Sequence, residues 1–463
     1  MQKKLRSQAR ASILSVASGF ISKAATFIFT PIFTRLLSPE EYGIYSLYVG
    51  LMGVLSVIVT FEITGSVIYR GLAKFDRSRS DEFISSALGT LGILSLSFLA
   101  IYILFKEKIN AITSLGTHLT LLLLFQIFMN SAEGLYFAKK RYEGDFKTVA
   151  LINILSGILS PVLAVVLILS GLGGESRMIA PAAVSCVIVF PIILGIIRNG
   201  RKLYSKDAWK FIFGISAPMI PHYLSLSVIA QSDKIIVART VGESAVGKYS
   251  VAYSAGFILS LLTNGILLAL SPWLIRKLKG MEFVSVKFTL SLCLKLVCFS
   301  ALLFLLLMPE VYKFIVSEAY YEALPTAYII TVSVVFAFLT SILTTCLVYY
   351  EKAALITKNS LFSAIFCMIL TFVTVRLFGY IGGAYATLAS YALLFILNYK
   401  TLRAISDREI LNAVSCFKYL SFLLIFALLI FLIRFSVAAR IIMMAALVMI
   451  ILPELRSYKK LLL

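Results

Sequence analysis

Long apolar runs separated by short, mostly basic punctuation make up nearly all of this chain. Residues 83–105 and 419–433 carry no charge, and 119–138 carries one. A helix rising 1.5 Å per residue needs about 20 apolar residues to cross about 30 Å of hydrocarbon. Strands of a membrane barrel would alternate over about ten residues, and these runs do not alternate. The pattern predicts about fourteen membrane helices, near 12–34, 43–66, 83–105, 117–138, 148–171, 178–197, 211–235, 247–273, 285–308, 326–350, 353–375, 381–399, 413–433 and 437–455. The expected class is an all-α integral membrane protein.

Composition agrees: 60% of the 463 residues are hydrophobic, 14% are charged and the mean hydropathy is +0.96. A soluble domain carries about a quarter charged residues. The net charge of +21 changes the picture only through its placement. With the N-terminus inside, 30 of the 43 basic residues fall in inner segments, 11 in outer segments and two, Lys23 and Lys295, inside spans. Basic residues concentrate on the cytoplasmic side of membrane proteins, so both termini are expected in the cytoplasm. Trp209 and Trp273 fall at inner span ends, where indole rings favour the interface. No soluble segment is long enough to form a basic face for nucleic acid. The six Cys residues include no CxxC pair, which argues against zinc and against a disulfide framework. The first span is too long for a signal-peptide core and is expected to remain as helix 1.

The chain repeats itself at an offset of 204 residues. Arg35-Leu-Leu-Ser-Pro-Glu-Glu-Tyr-Gly-Ile-Tyr-Ser46 follows the first span, and Arg239-Thr-Val-Gly-Glu-Ser-Ala-Val-Gly-Lys-Tyr-Ser250 follows the seventh. Arg35, Gly43, Tyr45 and Ser46 match Arg239, Gly247, Tyr249 and Ser250 without a gap. A unit of six spans keeps both copies in the same orientation, which implies lobes related by an axis along the membrane normal. The expected organisation is a lobe over 1–205, a second over 206–405, and an appended helix pair over 406–463. Ser38-Pro39-Glu40-Glu41 predicts a capped helix start, with Ser as cap, Pro at the first helical position and Glu three residues on. Gly242, Gly247 and Lys248 imitate a phosphate-binding loop, but Tyr249 replaces the magnesium-binding hydroxyl and no strand precedes it.

Polar residues inside the spans carry the functional signal. In span 1, Ser12, Ser15, Gly19, Ser22, Lys23, Thr26, Thr30 and Thr34 share one face. Lys23 lies near mid-span, where a lysine costs about 2.5–3.5 kcal/mol on insertion scales and snorkels poorly. It either lines a polar cavity or pairs with Glu62 of span 2. In span 9, Lys287, Ser291, Lys295 and Cys298 share a face, and Lys295 either lines the cavity or snorkels. In span 8, Tyr249, Tyr253, Gly256, Ser260 and Asn264 align, which suits sugar binding and helix packing equally. Asp233-Lys234 reads as an interfacial pair or a charge site. Pro218 and Pro221 predict a bend in span 7, and His222 beside them reads as a packed side chain. The two His residues, His118 and His222, are far apart, and there is no catalytic or metal-ligand set.

These residues resemble a family. The segment from Arg35 to Ser46, the sequel Glu62-Ile-Thr-Gly-Ser-Val-Ile-Tyr-Arg70, Gln231-Ser-Asp-Lys234 and Val246-Gly-Lys-Tyr-Ser-Val-Ala-Tyr253 look like bacterial polysaccharide-unit flippases of the multidrug/oligosaccharidyl-lipid/polysaccharide exporter superfamily. The resemblance implies two six-helix lobes around a cavity that opens alternately to either side of the bacterial cytoplasmic membrane. It implies a cargo of glycan on undecaprenyl pyrophosphate, moved outward for O-antigen or capsule synthesis, with membrane lipid and the polysaccharide polymerase machinery as partners and no cofactor. It further implies cargo contacts from Lys23, with Lys295, Lys234 and Arg239 as further candidates, and coupling to H⁺ or Na⁺ through Glu62 or Asp233. Lys rather than Arg at 23 and 295 removes the bidentate fork for phosphate.

Two alternatives stay open: a multidrug/cation antiporter on the same fold, and a membrane glycan polymerase or ligase. The latter enzymes need a sizeable outer loop, and the longest here, near 309–325, is short. The Lys23 reading predicts that Lys23→Ala abolishes surface glycan while the protein still reaches the membrane, and that Lys23→Arg retains it. Immunoblotting of membranes beside glycan staining checks both. Unchanged glycan in the Ala variant removes Lys23 from the mechanism.

Overall fold

Hydrocarbon offers a backbone amide no solvent partner, so a spanning segment must close its own hydrogen bonds. The computed structural model describes residues 28–75, 79–406 and 408–462, and it is helical throughout, with no strand among the described residues. Residues 28–36 are helical and are called α1. There follow α2 (Pro39–Thr60), α3 (Ser66–Lys74), α4 (Ser80–Thr113), α5 (Thr117–Glu143), α6 (Phe146–Leu167), α7 (Ser176–Gly200), α8 (Lys206–Thr240) and α9 (Glu243–Phe257). The remainder are α10 (Leu259–Lys279), α11 (Phe283–Ile315), α12 (Leu324–Tyr349), α13 (Ala353–Phe378), α14 (Ile381–Ile405), α15 (Ala413–Leu432) and α16 (Val437–Leu462). Twelve helices among the described residues are long and apolar enough to span, and α16 adds a shorter apolar stretch, Val437–Met449. The chain is a multi-pass membrane protein. Most of the expected first span, with Lys23, lies outside the described residues.

Two spans depart from expectation. The second was expected to run unbroken to 66. It stops at Thr60, because Phe61 and Glu62 adopt left-handed φ of 51° and 50°, and α3 starts afresh after Gly65. Two successive left-handed residues cannot continue a right-handed helix. The expected span 247–273 is divided into α9 and α10 by a tight turn at Ile258, where Ile258 N–H bonds to Ala255 C=O and Leu261 N–H to Ile258 C=O.

The chain forms two compact units, Met1–Gly247 and Lys248–Leu463. In the first, Ile63, Ile68 and Leu72 of the α2–α3 region meet Phe83, Leu88 and Leu91 of α4 with Leu135 of α5 and Ile212 of α8. A second cluster joins Leu47, Tyr48 and Leu51 of α2 to Leu119 and Leu123 of α5 and Met178 of α7. The expected cap is present: Ser38 Oγ accepts from Glu41 N–H, and the Glu41 carboxylate accepts from Ser38 N–H at 2.9 Å. One turn on, Gly43 has no room for a side chain. A Cβ there would stand 1.9 Å from the Glu243 carbonyl oxygen, and one on Gly247 would stand 1.8 Å from that of Pro39. Positions 39 and 43 correspond to 243 and 247 in the repeat, so its two copies touch at matching residues, all four within the first unit.

In the second unit, α12 is the buried centre, packed by α10, α11 and α14. An amide network ties its neighbours together. Asn359 Nδ2 of α13 donates to Asn398 Oδ1 of α14 at 3.0 Å, and Asn398 Nδ2 donates to Thr344 of α12 at 3.3 Å. At the start of α16, Arg440 is buried, donates to the Leu306 carbonyl at 2.7 Å and forms a two-pronged ion pair with Glu310 of α11. The aligned Tyr249, Tyr253 and Gly256 serve packing: Tyr249 is fully buried against Ile330 and Ala384, and its ring limits Gly383.

The Gly43 contact yields a stability prediction. Gly43→Ala places a methyl against backbone and should cost about 1–3 kcal/mol. Gly92→Ala, in helix α4 with open space around it, should be neutral or stabilising by about 0.4–1 kcal/mol. Thermal unfolding of the two variants in one detergent reads the difference. Equal midpoints would show that the chain gives way at Gly43.

Candidate functional site

The segment after α1 builds a polar corner in the first unit. Glu41, already capping α2, also accepts from Gly174 N–H at 3.0 Å and so holds the turn before α7. That turn delivers Arg177, only 5% exposed, into a cage of rings: its guanidinium carbon lies 3.8 Å from the Tyr45 centroid, 4.3 Å from Phe33 and 4.4 Å from Tyr42. It also donates to the Tyr42 hydroxyl at 3.4 Å. Stacking on a ring's negative face stabilises a desolvated cation by about 2 kcal/mol. Beside the cage is a cavity of about 150 Å³ lined by Arg177, Tyr45, Ser156, Gly157, Ser160, Pro161 and Pro181. The two prolines lack the N–H that a helix would aim at the carbonyls of Gly157 and Arg177. The cavity therefore combines a fixed cation, hydroxyls and carbonyls, and can hold water or a small polar group.

A second polar region runs along the seam of α2 and α8. Gly50 and Gly53 let α8 come close: Lys234 lays its stem beside Gly50, and the Gln231 side chain lies beside Gly53. Lys234 Nζ donates to Gln231 Oε1 at 2.8 Å. Asp233 is fully buried, and its Oδ1 accepts from Lys234 N–H at 2.8 Å. Nearby, the Tyr48 hydroxyl donates to Gln126 at 2.7 Å. Five residues on, Arg239 bonds to the Ala111 carbonyl and closes the end of α4. Glu62 stands apart, in the break between α2 and α3, with its carboxylate beside Gly65. Thr64 of the same break rests on Gly134 of α5, next to the half-buried Glu133.

In the second unit, Lys295 of α11 is 5% exposed, and its ammonium lies 5.9 Å from the Tyr419 centroid of α15. Lys248, in the imitation phosphate loop, bonds to Glu322 at 2.7 Å. His222 is buried on α8, and His118 bonds to Glu175 at 3.0 Å. The structure thus groups Lys234 with Asp233, and leaves Glu62, Arg239 and Lys295 each in a different setting.

Three residues that the sequence does not single out as site candidates are Arg177, Glu133 and Lys418. Arg177 counts in sequence as one more loop cation, because its rings come from positions 33, 42 and 45. Glu133 is a carboxylate within an apolar run, a signal that was available. Lys418 counts in sequence as one more inner cation at the start of the expected 413–433 span, and it lies in α15, 5.8 Å from the centroid of the same Tyr419.

Comparisons with known proteins agree with this architecture. The structure is similar to lipid II flippase MurJ in an inward closed conformation, with a TM-score of 0.72 at 15% identity over 97% of this chain and 100% of that one. It is also similar to a multidrug resistance MATE family transporter of the MOP superfamily in an inward-facing conformation, with a TM-score of 0.66 at 15% identity over 85% and 98%. At these identities the likeness is one of fold. In sequence, the succinoglycan biosynthesis transport protein ExoT of Rhizobium meliloti (strain 1021) is 24% identical over 247 residues, 51% of this chain and 48% of that protein. The match thus spans about half the length of this curated relative. Residues 9–278, more than half of the chain, match the family model described as polysaccharide biosynthesis protein, and the chain belongs to that family.

Proposed function

We propose that the protein is a flippase that moves an oligosaccharide unit, linked to undecaprenyl pyrophosphate, from the inner to the outer leaflet of the bacterial cytoplasmic membrane. The observation that carries this reading is the retention of cations within apolar helices, Lys234 in the first unit and Lys295 in the second, in a chain of the polysaccharide biosynthesis family. A lysine at mid-bilayer costs about 2.5–3.5 kcal/mol, and an anionic cargo offsets that cost. Lys23, Lys234 and Lys295 are the cargo-contacting residues of this reading, and Arg239 holds the end of α4. Spans 1–6 and 7–12 act as two lobes, with the last helix pair appended to the second.

The energetics require no nucleotide. A pyrophosphate diester carries about two negative charges, and moving them outward down a potential of 100 mV, inside negative, releases about 4.6 kcal/mol at about 2.3 per charge. Exchange of H⁺ or Na⁺ through Glu62 or Asp233 would add to that force. The concentration of basic residues in the inner segments supports cytoplasmic termini in this reading.

Deletion of the gene tests the reading. Lipid-linked single repeat units should accumulate and remain closed to an impermeant glycan-modifying reagent added outside intact spheroplasts. Units that accumulate but are modified from outside would point to a lost polymerase and overturn the proposal.

A further inference from the structure

Where α6 and α7 of the first unit pack together, two prolines open the backbone toward the cavity of about 150 Å³. Pro161 and Pro181 leave the carbonyls of Gly157 and Arg177 without the helical N–H four residues on. On the α6 wall, the Ser156 hydroxyl donates to the Ile152 carbonyl at 2.6 Å, so its oxygen remains an acceptor. The Ser160 hydroxyl, on the same wall, has no hydrogen-bond partner among the described residues. On the α7 wall stands Arg177, 5% exposed, and Phe33 and Tyr45, over whose rings its guanidinium lies, line the cavity with it. Among the described residues, the lining holds a cation and no carboxylate. Glu41, which holds the same corner, directs its oxygens to Ser38 and to Gly174 N–H.

We infer that this cavity is a saccharide subsite that takes one pyranose ring carrying a carboxylate, a hexuronate, with Arg177 on the carboxylate. A cavity of about 150 Å³ takes up benzene, so there is room for one six-membered ring. The two freed carbonyls and the Ser156 oxygen accept from sugar hydroxyls, Ser160 can donate or accept, and the rings and prolines meet the C–H faces of the sugar. A guanidinium–carboxylate hydrogen bond is about twice as strong as one between neutral groups, and a desolvated setting strengthens it further. A free carboxylate would use the cation and leave the carbonyls without donors. A neutral sugar would use the carbonyls and leave the cation without an anion to bind. Only an acidic sugar matches both sets. Arg177 is not among the residues assigned to the pyrophosphate, so the subsite adds recognition of the glycan to recognition of the carrier. Its place on a transport path rests on the proposed flippase function, whereas its ligand chemistry rests on the cavity.

Saturation-transfer NMR on the full chain in phosphatidylcholine nanodiscs, a setting free of sugar detergents, tests the subsite with methyl β-D-glucuronide, methyl β-D-glucoside and acetate as probes. The glucuronide should bind at least about tenfold more tightly than either of the others. Ser160→Leu, which fills the cavity from the α6 wall and leaves Arg177 in place, should weaken glucuronide binding by at least about tenfold. Arg177→Gln should bring the glucuronide down to the level of the glucoside. A thermal unfolding midpoint for each variant separates loss of binding from loss of fold, and Ser160→Leu alone carries the test if Arg177→Gln unfolds. Glucuronide binding no tighter than that of the glucoside or of acetate, or glucuronide binding unchanged in Ser160→Leu, overturns the inference. Because binding is read without transport, a chain that binds glucuronide but whose deletion leaves lipid-linked units undisturbed refutes the flippase reading and leaves the subsite standing.

Discussion

A backbone amide in hydrocarbon must find its partner within the protein, and every departure from a helix therefore needs local compensation. The turn between α1 and α2 shows how that demand is met. Ser38 and Glu41 satisfy the first amides of α2, and the same Glu41 reaches a second turn at Gly174. One carboxylate thus closes two helix ends separated by more than a hundred residues. With the α6–α7 turn held there, Arg177 reaches its three rings, and the cavity beside Ser156 and Ser160 takes its shape.

Glycine supplies the other half of the arrangement. Where α2 meets α8, Gly50 and Gly53 leave a trough for the side chains of Lys234 and Gln231, and where its first turn meets residues 243–247, Gly43 allows backbone to touch backbone. Close approach of this kind drives membrane helices together when lipid tails are as apolar as the side chains they would replace. The long, apolar α6 lacks such a face toward the bilayer and exposes Leu151, Leu155, Leu159, Val162 and Val166 along one side.

The parts of this architecture that were legible in the sequence are those fixed by short spacing. Twelve of the expected spans and the Ser38 capping box follow from residues within one helix or one turn. The break at Phe61–Gly65 was hidden because Phe and Glu carry no preference for left-handed backbone, so only their surroundings impose it. The setting of Arg177 was hidden because its partners lie more than 130 positions away. Lys295 was legible as a charge in a span, yet the ring that it faces belongs to a helix over a hundred residues later, and nothing in the local spacing announces Tyr419. Lys23, the residue on which the sequence argument leaned most, lies outside the described residues, so the polar corner at Arg177 and the seam at Lys234 carry the structural account of the first unit.

The amide network of Asn359, Asn398 and Thr344 has a mechanical consequence. Its bonds cross three helices at one level, so sliding any of them along its axis strips amides in surroundings that offer no replacement. At about 0.6 kcal/mol for each interhelical bond, the bonds of Asn359 to Asn398 and Thr401 and of Asn398 to Thr344 add to about 2 kcal/mol against slippage. Helices α12, α13 and α14 are accordingly pinned to one another at that level, and a change of register between any two of them must break this network.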